Sequence, residues 1–527
     1  MKRLPIGIQT FETLINQNYT YVDKTAILHR LIISGGNRYF LSRPRRFGKS
    51  LTCSTLDAIF QGRKELFNNL AISKVDYDWK IYPVIRLDFS GIIHQTLEQL
   101  FISLNHRLDS IAKDYNVDIS FTTLPQEKFK TLIIECAKKH GPTVVIIDEY
   151  DKPILDHLSD SRMAQEMRNF LKSFYGILKD QSIDTNVYFL FITGVSKFSK
   201  VSIFSELNNL NDLTNDEITA TLCGYTQKEL ELVFADHIET FASHSKKTRQ
   251  ETVAELKYWY NGYQFSKNGQ KVYNPFSIIN SFSKNEFMNF WFSSGTPSFI
   301  MHYAEKNPEI VKKLMMLEAQ QITVTQLETL TLENYFQSAI LIFLQAGYLT
   351  IADYNANERL FNLAYPNYEV RLSMTEQILG FVAHIDATKI ASSEYRLRKS
   401  LYDGDIETFC TLIKDFFELL PHTVIIDREK FYQGVFFTIT KLIGAKIDAE
   451  QATSRGYIDA VLENNNTTYI IEFKKDKTPD IALAQIEDKE YFKKFKIENT
   501  KSVVLVGINF DYLPKSGISM NWKIKKI

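Results

Sequence analysis

Arg43-Pro44-Arg45-Arg46-Phe47-Gly48-Lys49-Ser50 lies between a short apolar run, Arg38 to Ser42 (RYFLS), and a helical apolar pattern, Leu51 to Phe60. A loop that leads from a strand into a helix N-terminus offers backbone N–H groups and the positive end of the helix dipole to phosphate. In that arrangement the backbone of Arg46, Phe47, Gly48 and Leu51 would ring a nucleotide's phosphates, with Gly48 permitting close approach. Lys49 would reach the β and γ phosphates, and Ser50 would ligate Mg²⁺. The full pattern asks for glycine at position 43, where this chain has Arg43. An ordinary helix-start turn would also read Gly-Lys-Ser.

Moving outward, Val144-Val-Ile-Ile-Asp148-Glu149 is four apolar residues closing on two carboxylates, as a buried strand ending at a metal site would read. Asp148 would hold Mg²⁺ through water, and Glu149 would orient and deprotonate the attacking water, the division of labour that phosphoryl transfer needs. Val84 to Phe89 and Val187 to Thr193 read as further strands, and Gln126 to Lys139 as one of the helices between them. Alternation of this kind builds a parallel α/β sheet. Thr193-Gly194 ends the last strand, so Thr193 could contact the γ phosphate or the lytic water, although Thr-Gly is also a turn signal. From about Thr226 to Gly380 helical patterns dominate, around the aromatic run Tyr258 to Tyr263. For that run and for Asp23, a core-packed turn and a helix cap are better supported than nucleotide contact.

At 527 residues the chain should hold about two to four domains. Lys plus Arg and Asp plus Glu number 62 each, which excludes a global basic field that recruits nucleic acid or acidic membrane. The start, MKRLPIGIQTFETLI, has no apolar run of signal-peptide length, so secretion is not expected. The uncharged stretch Asn334 to Ala352 is diluted by Gln337, Ser338, Gln345, Gly347 and Thr350, and reads as a buried helix rather than a membrane span. Cys53, Cys136, Cys223 and Cys410 are too far apart for a zinc knuckle or a disulfide framework, and a reducing cytoplasm fits.

After about Ile390 the pattern changes. Helices around Asp405 to Leu419 and Arg428 to Leu442 precede three strands ending at Lys475, then a helix from Pro479 to about Phe495 and a strand from Ser502 to Val506. This is an α-β-β-β-α-β order. Arg455-Gly-Tyr-Ile-Asp459 and Thr468-Tyr-Ile-Ile-Glu472-Phe-Lys474 read as paired strands joined at Asn464-Asn-Asn466. Alternation puts Glu472 and Lys474 on one face, and Asp459 can join them from the neighbouring strand. Two carboxylates and a lysine converging on one spot are costly unless a hard divalent cation and a reacting phosphate occupy it. Asp459 and Glu472 would then ligate Mg²⁺ or Mn²⁺, and Lys474 would orient water or stabilise charge on phosphate. Salt-bridged surface hairpins carry the same letters. From Lys493 to Ile527, eight lysines face Glu498 and Asp511, an excess suited to a phosphate backbone and explained nearly as well by a solvated tail.

Tyr21-Val-Asp-Lys-Thr25, SRPRRFGKS, VVIIDEYDKP, ITGVSKFSKVSIFSELNNLNDLT, and WYNGYQF with Tyr273-Asn-Pro-Phe276 resemble, in that order, the predicted AAA-ATPase-like family common in bacteria. The resemblance covers about residues 1 to 280. It implies that the Arg-rich loop is the usual form, within an additional-strand P-loop fold followed by a helical lid. Residues 390 to 510 resemble the PD-(D/E)XK nuclease superfamily, specifically the domain fused behind such ATPase-like modules. That resemblance carries Asp459, Glu472 and Lys474 as core catalytic positions, with Glu429 and Gln485 as auxiliary ones; Ile458 stands where proline often precedes the Asp.

The chain is therefore expected to be α/β throughout, with a P-loop domain at 1–225, a helical middle at 226–385 and a nuclease-like domain at 386–527. Its expected work is cytoplasmic ATP hydrolysis gating Mg²⁺-dependent cleavage of DNA or RNA, in defence or DNA maintenance, with self-association left open. A nucleotide-switched signalling or interaction protein with a non-cleaving nuclease-like module is the alternative.

Overall fold

Every residue of Arg38–Ser42 (β1) and of Thr143–Asp148 (β3) is buried, and Val187–Gly194 (β4) exposes only Tyr188. Strands with no solvent face must be covered by helices on both sides, which is the condition of a parallel α/β sheet. With Val84–Asp88 (β2) and the short Asn211–Asp212 (β5) they pair in parallel in the order β2-β3-β4-β1-β5. The strand β4 is thus inserted between the strand that ends in the Arg43 loop and the strand that ends in Asp148. Helices Lys49–Phe60 (α1), Leu97–Asp114 (α2), Pro125–His140 (α3) and Ser161–Gly176 (α4) accompany this sheet.

The computed structural model describes residues 1–197, 210–293, 320–328, 339–374, 387–418, 429–443, 445–453, 456–464, 466–493, 495, 501–513 and 517–527. They divide into two compact units, one within Met1–Phe299 and Ala319–Val370, the other within Arg371–Ile527. Residues 198–209 of the ITGVSKF motif, Arg455, and Lys494, Lys496, Glu498 and Lys515 of the lysine-rich tail lie outside the described residues.

In the first unit the sheet continues into Gln227–Val233 (α5), Ala235–Ser245 (α6), Arg249–Tyr260 (α7) and Pro275–Lys284 (α8). Their starts are chemically specified. Thr226 with Glu229 and Thr248 with Glu251 form reciprocal capping boxes, and Asn274 caps Phe276 and Ser277 ahead of Pro275. Tyr260 and Tyr273 join Leu230, Phe234, Leu256 and Phe282 in the core between these helices; of the aromatic run, Tyr258 to Tyr260 close α7, with Tyr258 half exposed, and Tyr263 is buried. The middle of the chain is not wholly helical. Gln320–Thr323 (β6), Thr350–Asn355 (β7) and Leu360–Ala364 (β8) form an antiparallel sheet in the order β6-β8-β7. Of the stretch that reads as one buried helix, residues 334–338 lie outside the described residues, and the rest is a short helix, Ala339–Ala346 (α9), a turn at Gly347, and β7.

The second unit holds a sheet Lys446–Thr453 (β9), Gly456–Glu463 (β10), Thr467–Lys475 (β11), Ser502–Leu513 (β12) and Gly517–Lys526 (β13), ordered β13-β12-β11-β10-β9. Only β11 and β12 run parallel. Ile471 and Phe473 face the helices Ala387–Tyr402 (α10), Ile406–Glu418 (α11) and Glu429–Leu442 (α12) through Leu397, Phe409 and Phe436. Ile470 and Leu505 face the helix Pro479–Asp488 (α13) through Leu483 and Ile486. The expected helix to Phe495 is interrupted after Asp488, where Glu490, at φ 51°, turns the chain left-handed, and Phe492, Lys493 and Phe495 are helical again. The strand β12 runs past Val506, and β13 extends the expected order.

Among the described residues, no helix is long and apolar enough to cross a membrane. The four cysteines are buried free thiols.

One carboxylate anchors the C-terminal end of the central strand of the first sheet. Asp151 Oδ2 accepts from the N–H groups of Val195 (3.1 Å) and Ser196 (2.6 Å), where the chain leaves β4. Asp151→Ala should strand both buried donors and lower the stability of the first unit by about 2–4 kcal/mol. Urea unfolding followed through that unit checks this, and an unchanged midpoint would show the clamp to be dispensable.

Candidate functional sites

The loop between β1 and α1 is held residue by residue. Arg43 is buried, and its guanidinium donates to the carbonyls of Ser42 (2.8 Å), Thr214 (2.7 Å) and Thr219 (3.1 Å) while lying 4.2 Å over the Phe265 ring. Pro44 packs against Gly347, where a Cβ would come within 2.7 Å of the proline ring. The carbonyl of Arg45 accepts from Trp291 Nε1 at 3.1 Å. Arg46, at φ 67°, sits 4.0 Å over the Phe276 ring. Phe47 is buried edge-on to Tyr263, and its carbonyl accepts from Gly224 N at 3.3 Å. Gly48, at φ 97°, faces open space, so the backbone is bare on that side. Lys49 is buried and its ammonium donates to the carbonyls of Arg43 (3.1 Å) and Pro44 (3.0 Å).

A cavity of about 500 Å³ opens beside this loop. Arg46, Phe47, Gly48, Lys49, Ser50 and Leu51 form one side of it, Glu149 lies across from them, and Tyr21, Lys24 and Trp291 close it. Six of the expected phosphate-binding positions and the expected base are thus brought together. Glu149 takes a left-handed φ of 52°, an uncommon conformation for a non-glycine residue that turns it out of the strand. Asp148 is fully buried at the end of β3; its Oδ1 accepts Glu149 N (3.0 Å), while Oδ2 has no hydrogen-bond partner. Burial lifts its pKa to about 6, against the downward pull of the Ser50 hydroxyl and the Lys49 ammonium.

Thr193 is not brought to the cavity. Its hydroxyl is buried in the sheet and donates to Leu41 O at 2.8 Å. Asp23 is a bracket for the chain, accepting from Thr25 N (2.8 Å), Thr25 Oγ1 (2.7 Å) and Ala71 N (2.7 Å). Its neighbour Lys24 pairs with Glu229 at 2.6 Å, tying the cavity wall to α5. Trp291, and Glu369 behind it, carry no local sequence signal; only the fold brings them to the loop.

In the second unit Asp459 stands on β10 and Glu472 on β11, and continuing the Ala460–Ile471 pairing by one step sets them opposite each other. Asp459 Oδ2 accepts the Phe473 N–H at 2.8 Å. Glu472 Oε1 accepts from Lys474 Nζ (3.0 Å) and from Gln485 Nε2 on α13. Lys474 Nζ also donates to Phe473 O at 2.9 Å. Asp459, Glu472, Lys474 and Gln485 therefore form one group. Glu472 is 1% exposed and its Oε2 has no hydrogen-bond partner. Burial, reinforced by the Asp459 carboxylate, raises its pKa, and the Lys474 ammonium opposes the rise.

Glu429 sits on the first turn of α12, within 3.4 Å of Gln433 Nε2. Among the described residues no three His, Cys, Asp or Glu side chains converge as a metal cage. In the lysine-rich tail, Lys493, Lys501, Lys523 and Lys525 pair with Glu490, Glu463, Asp480 and Glu487. Local pairing neutralises much of that excess.

A family model described as a predicted AAA-ATPase matches residues 5–204, and one for the PD-(D/E)XK nuclease superfamily matches residues 427–522. A protein of Azotobacter chroococcum mcd 1, described as an uncharacterized protein in the vnfD 5' region, is 35% identical over 531 residues, covering 97% of this chain and 96% of its own. Among solved structures, the Aeropyrum pernix ORC1 protein in complex with DNA is 11% identical, with 70% of this chain and 96% of that one covered and a TM-score of 0.23. The Aeropyrum pernix ORC2 protein, in ADPNP and ADP complexes, is 10% identical over 64% and 87%, with a TM-score of 0.26.

The raised carboxyl of Glu472 has a definite sign. Its neutral form is favoured by folding, so that contribution is full below the ordinary carboxyl range and is lost as pH rises through the elevated folded value. In chelated buffer the second unit should become less stable from about pH 5 to about pH 8, and Glu472→Gln should flatten this trend. Thermal unfolding across that range is the check; the same slope in wild type and variant would remove Glu472 as its source.

Proposed function

Because the chain belongs to the predicted AAA-ATPase family and carries a PD-(D/E)XK nuclease superfamily domain, we propose that it hydrolyses ATP at the Lys49 cavity and cleaves nucleic-acid phosphodiester bonds at the Asp459–Glu472 group. The observation that carries this reading is the buried, unpartnered Glu472 Oε2. An unsatisfied carboxylate oxygen in the interior costs about 1–3 kcal/mol or more. A hard divalent cation held by Asp459 and Glu472 would offset that cost, and Mg²⁺ or Mn²⁺ fits the all-oxygen donors. Such a cation supplies charge neutralisation and acidifies bound water.

The chain's own groups do the rest. Gln485 fixes the rotamer of Glu472, and Lys474, nine-tenths buried, holds a positive charge beside it that can hold water or a phosphate oxygen in place. At the first site, Ser50 and the unpartnered Asp148 Oδ2 fit Mg²⁺ in the same way. Lys49 would exchange its two carbonyl partners for phosphate oxygens, a charge-assisted contact that is stronger than either. Glu149, turned out of β3, would hold the attacking water and take its proton. Thr193 is left out of this mechanism, its hydroxyl being committed to Leu41 O.

One observation favours a second reading, a nucleotide-switched interaction protein: the Glu472 carboxylate already has protein partners in Lys474 and Gln485. Incubation of the intact chain with end-labelled single- and double-stranded DNA and RNA, in Mg²⁺ or Mn²⁺ with and without ATP, separates the two. Asp459→Ala and Glu472→Ala should each eliminate cleavage and leave ATP turnover intact. Lys474→Ala should still bind metal yet cut ~10² to 10⁴-fold more slowly. Absence of cutting on every substrate transfers the proposal to the interaction reading.

The ATP site is tested separately. Lys49→Ala should weaken ATP binding by a few kcal/mol, roughly the worth of its charge-assisted contacts. Glu149→Gln should keep ATP bound and stop turnover, because water activation acts in the transition state. Calorimetry and phosphate release measure the two; parental values in either variant would remove that residue's role.

A further inference from the structure

Two parts of the helical segment touch the phosphate loop, and a single buried side chain joins them. The first is the start of α8, where Phe276 lies under the Arg46 guanidinium at 4.0 Å. The second is Trp291, whose indole Nε1 donates to Arg45 O at 3.1 Å and whose ring is part of the cavity wall. Glu369 bridges them. Its Oε2 accepts from Ser277 Oγ, next to Phe276, at 2.7 Å, and its Oε1 accepts from the Trp291 backbone N–H at 2.8 Å.

A carboxylate in this place is costly. Glu369 is fully buried, and burial raises its pKa to about 7 despite the donors around it. Satisfying one N–H needs no acid; a serine, asparagine or backbone carbonyl would do. A forked acceptor is suited to two donors on separate segments at once, and here those segments carry the contacts to Arg45 and Arg46. The indole position is also closely specified. Tyr348 packs on Trp291 with ring centroids 5.2 Å apart, and a Cβ at Gly347 would come within 3.4 Å of the indole and 2.7 Å of Pro44.

Resting on the reading of the Lys49 cavity as the ATP site, we infer that Glu369 is a positioning residue for the phosphate loop, acting through Trp291 and the start of α8. It touches no nucleotide itself. It sets where the Arg45 carbonyl and the Arg46 side chain stand when phosphate enters.

The test is ATP titration of the intact chain, by calorimetry and by tryptophan emission, for wild type, Lys49→Ala, Glu369→Leu, Glu369→Gln and Trp291→Phe. Trp291 is in the wall, so the emission change on binding should be present in wild type and absent in Trp291→Phe. Glu369→Leu and Trp291→Phe should each weaken ATP by roughly 10-fold, the scale of one buried hydrogen bond left unmade. Glu369→Gln should stay within about 2-fold of wild type, because its Oε1 can accept from Trp291 N while its Nε2 donates to Ser277 Oγ. If Glu369→Leu does not fold, Trp291→Phe, which keeps an aromatic ring in place, decides alone. Wild-type affinity in Trp291→Phe, or a Gln variant as impaired as the Leu variant, overturns the inference. Binding that is lost in Lys49→Ala but kept in Glu369→Leu and Trp291→Phe removes this inference alone, whereas a wild-type chain that binds no ATP removes the reading of the cavity as well.

Discussion

If the loop after β1 receives phosphate, as proposed, its backbone must keep a narrow, unfavourable conformation with its N–H groups turned outward, and something has to hold it there. Here the holding is done by side chains. Arg43 occupies the slot where the common pattern has glycine and sends its guanidinium to Ser42, Thr214 and Thr219 carbonyls, away from the cavity. Each such bond from a charged donor is worth about 1.5–3 kcal/mol. The following residues find partners in turn on Gly347, Trp291, Phe276 and Tyr263. The sheet and the helical segment of the first unit therefore share one structural element, and the cavity wall is drawn from both.

The two candidate sites obey the same electrostatic rule. Each places a carboxylate at the end or in the middle of a buried strand, Asp148 on β3 and Glu472 on β11, with one oxygen bonded and the other unpartnered. Burial raises the pKa of both. Stability alone would select against such groups, since replacing them with apolar side chains is often neutral or better. Their placement beside a lysine in each case, Lys49 and Lys474, is the pattern expected where a cation and a phosphate are to be received together.

How far this was legible in the sequence depends on whether the signal was local. RYFLS and VVII are strands because their apolar residues are contiguous, and the loop after Ser42 followed from its position. Glu472 and Lys474 share a face because alternation along a strand is strict. The Tyr273-Asn-Pro-Phe276 motif resolves into a core tyrosine, an N-cap, a first-turn proline and a ring under Arg46. The sheet of β6, β7 and β8 was hidden by helical neighbours and polar strand residues. The strand β13 carries its own period-two signal: Ile518, Met520, Trp522 and Ile524 alternate with Ser519, Asn521 and Lys523. Trp291 and Glu369 were not legible, being joined to the loop only through tertiary contacts. Thr193 stood at the right strand end, yet the inserted position of β4 gives its hydroxyl a backbone partner on β1.

If the loop is held by its side chains, then restoring the glycine of the common pattern should harm it. The most direct measurement is calorimetric ATP affinity of the intact chain carrying Arg43→Gly, set against wild type. Binding should weaken by roughly 10-fold or more, because the Thr214 and Thr219 carbonyls lose a charged donor and the loop gains backbone freedom. Equal or tighter binding by the glycine variant would contradict this.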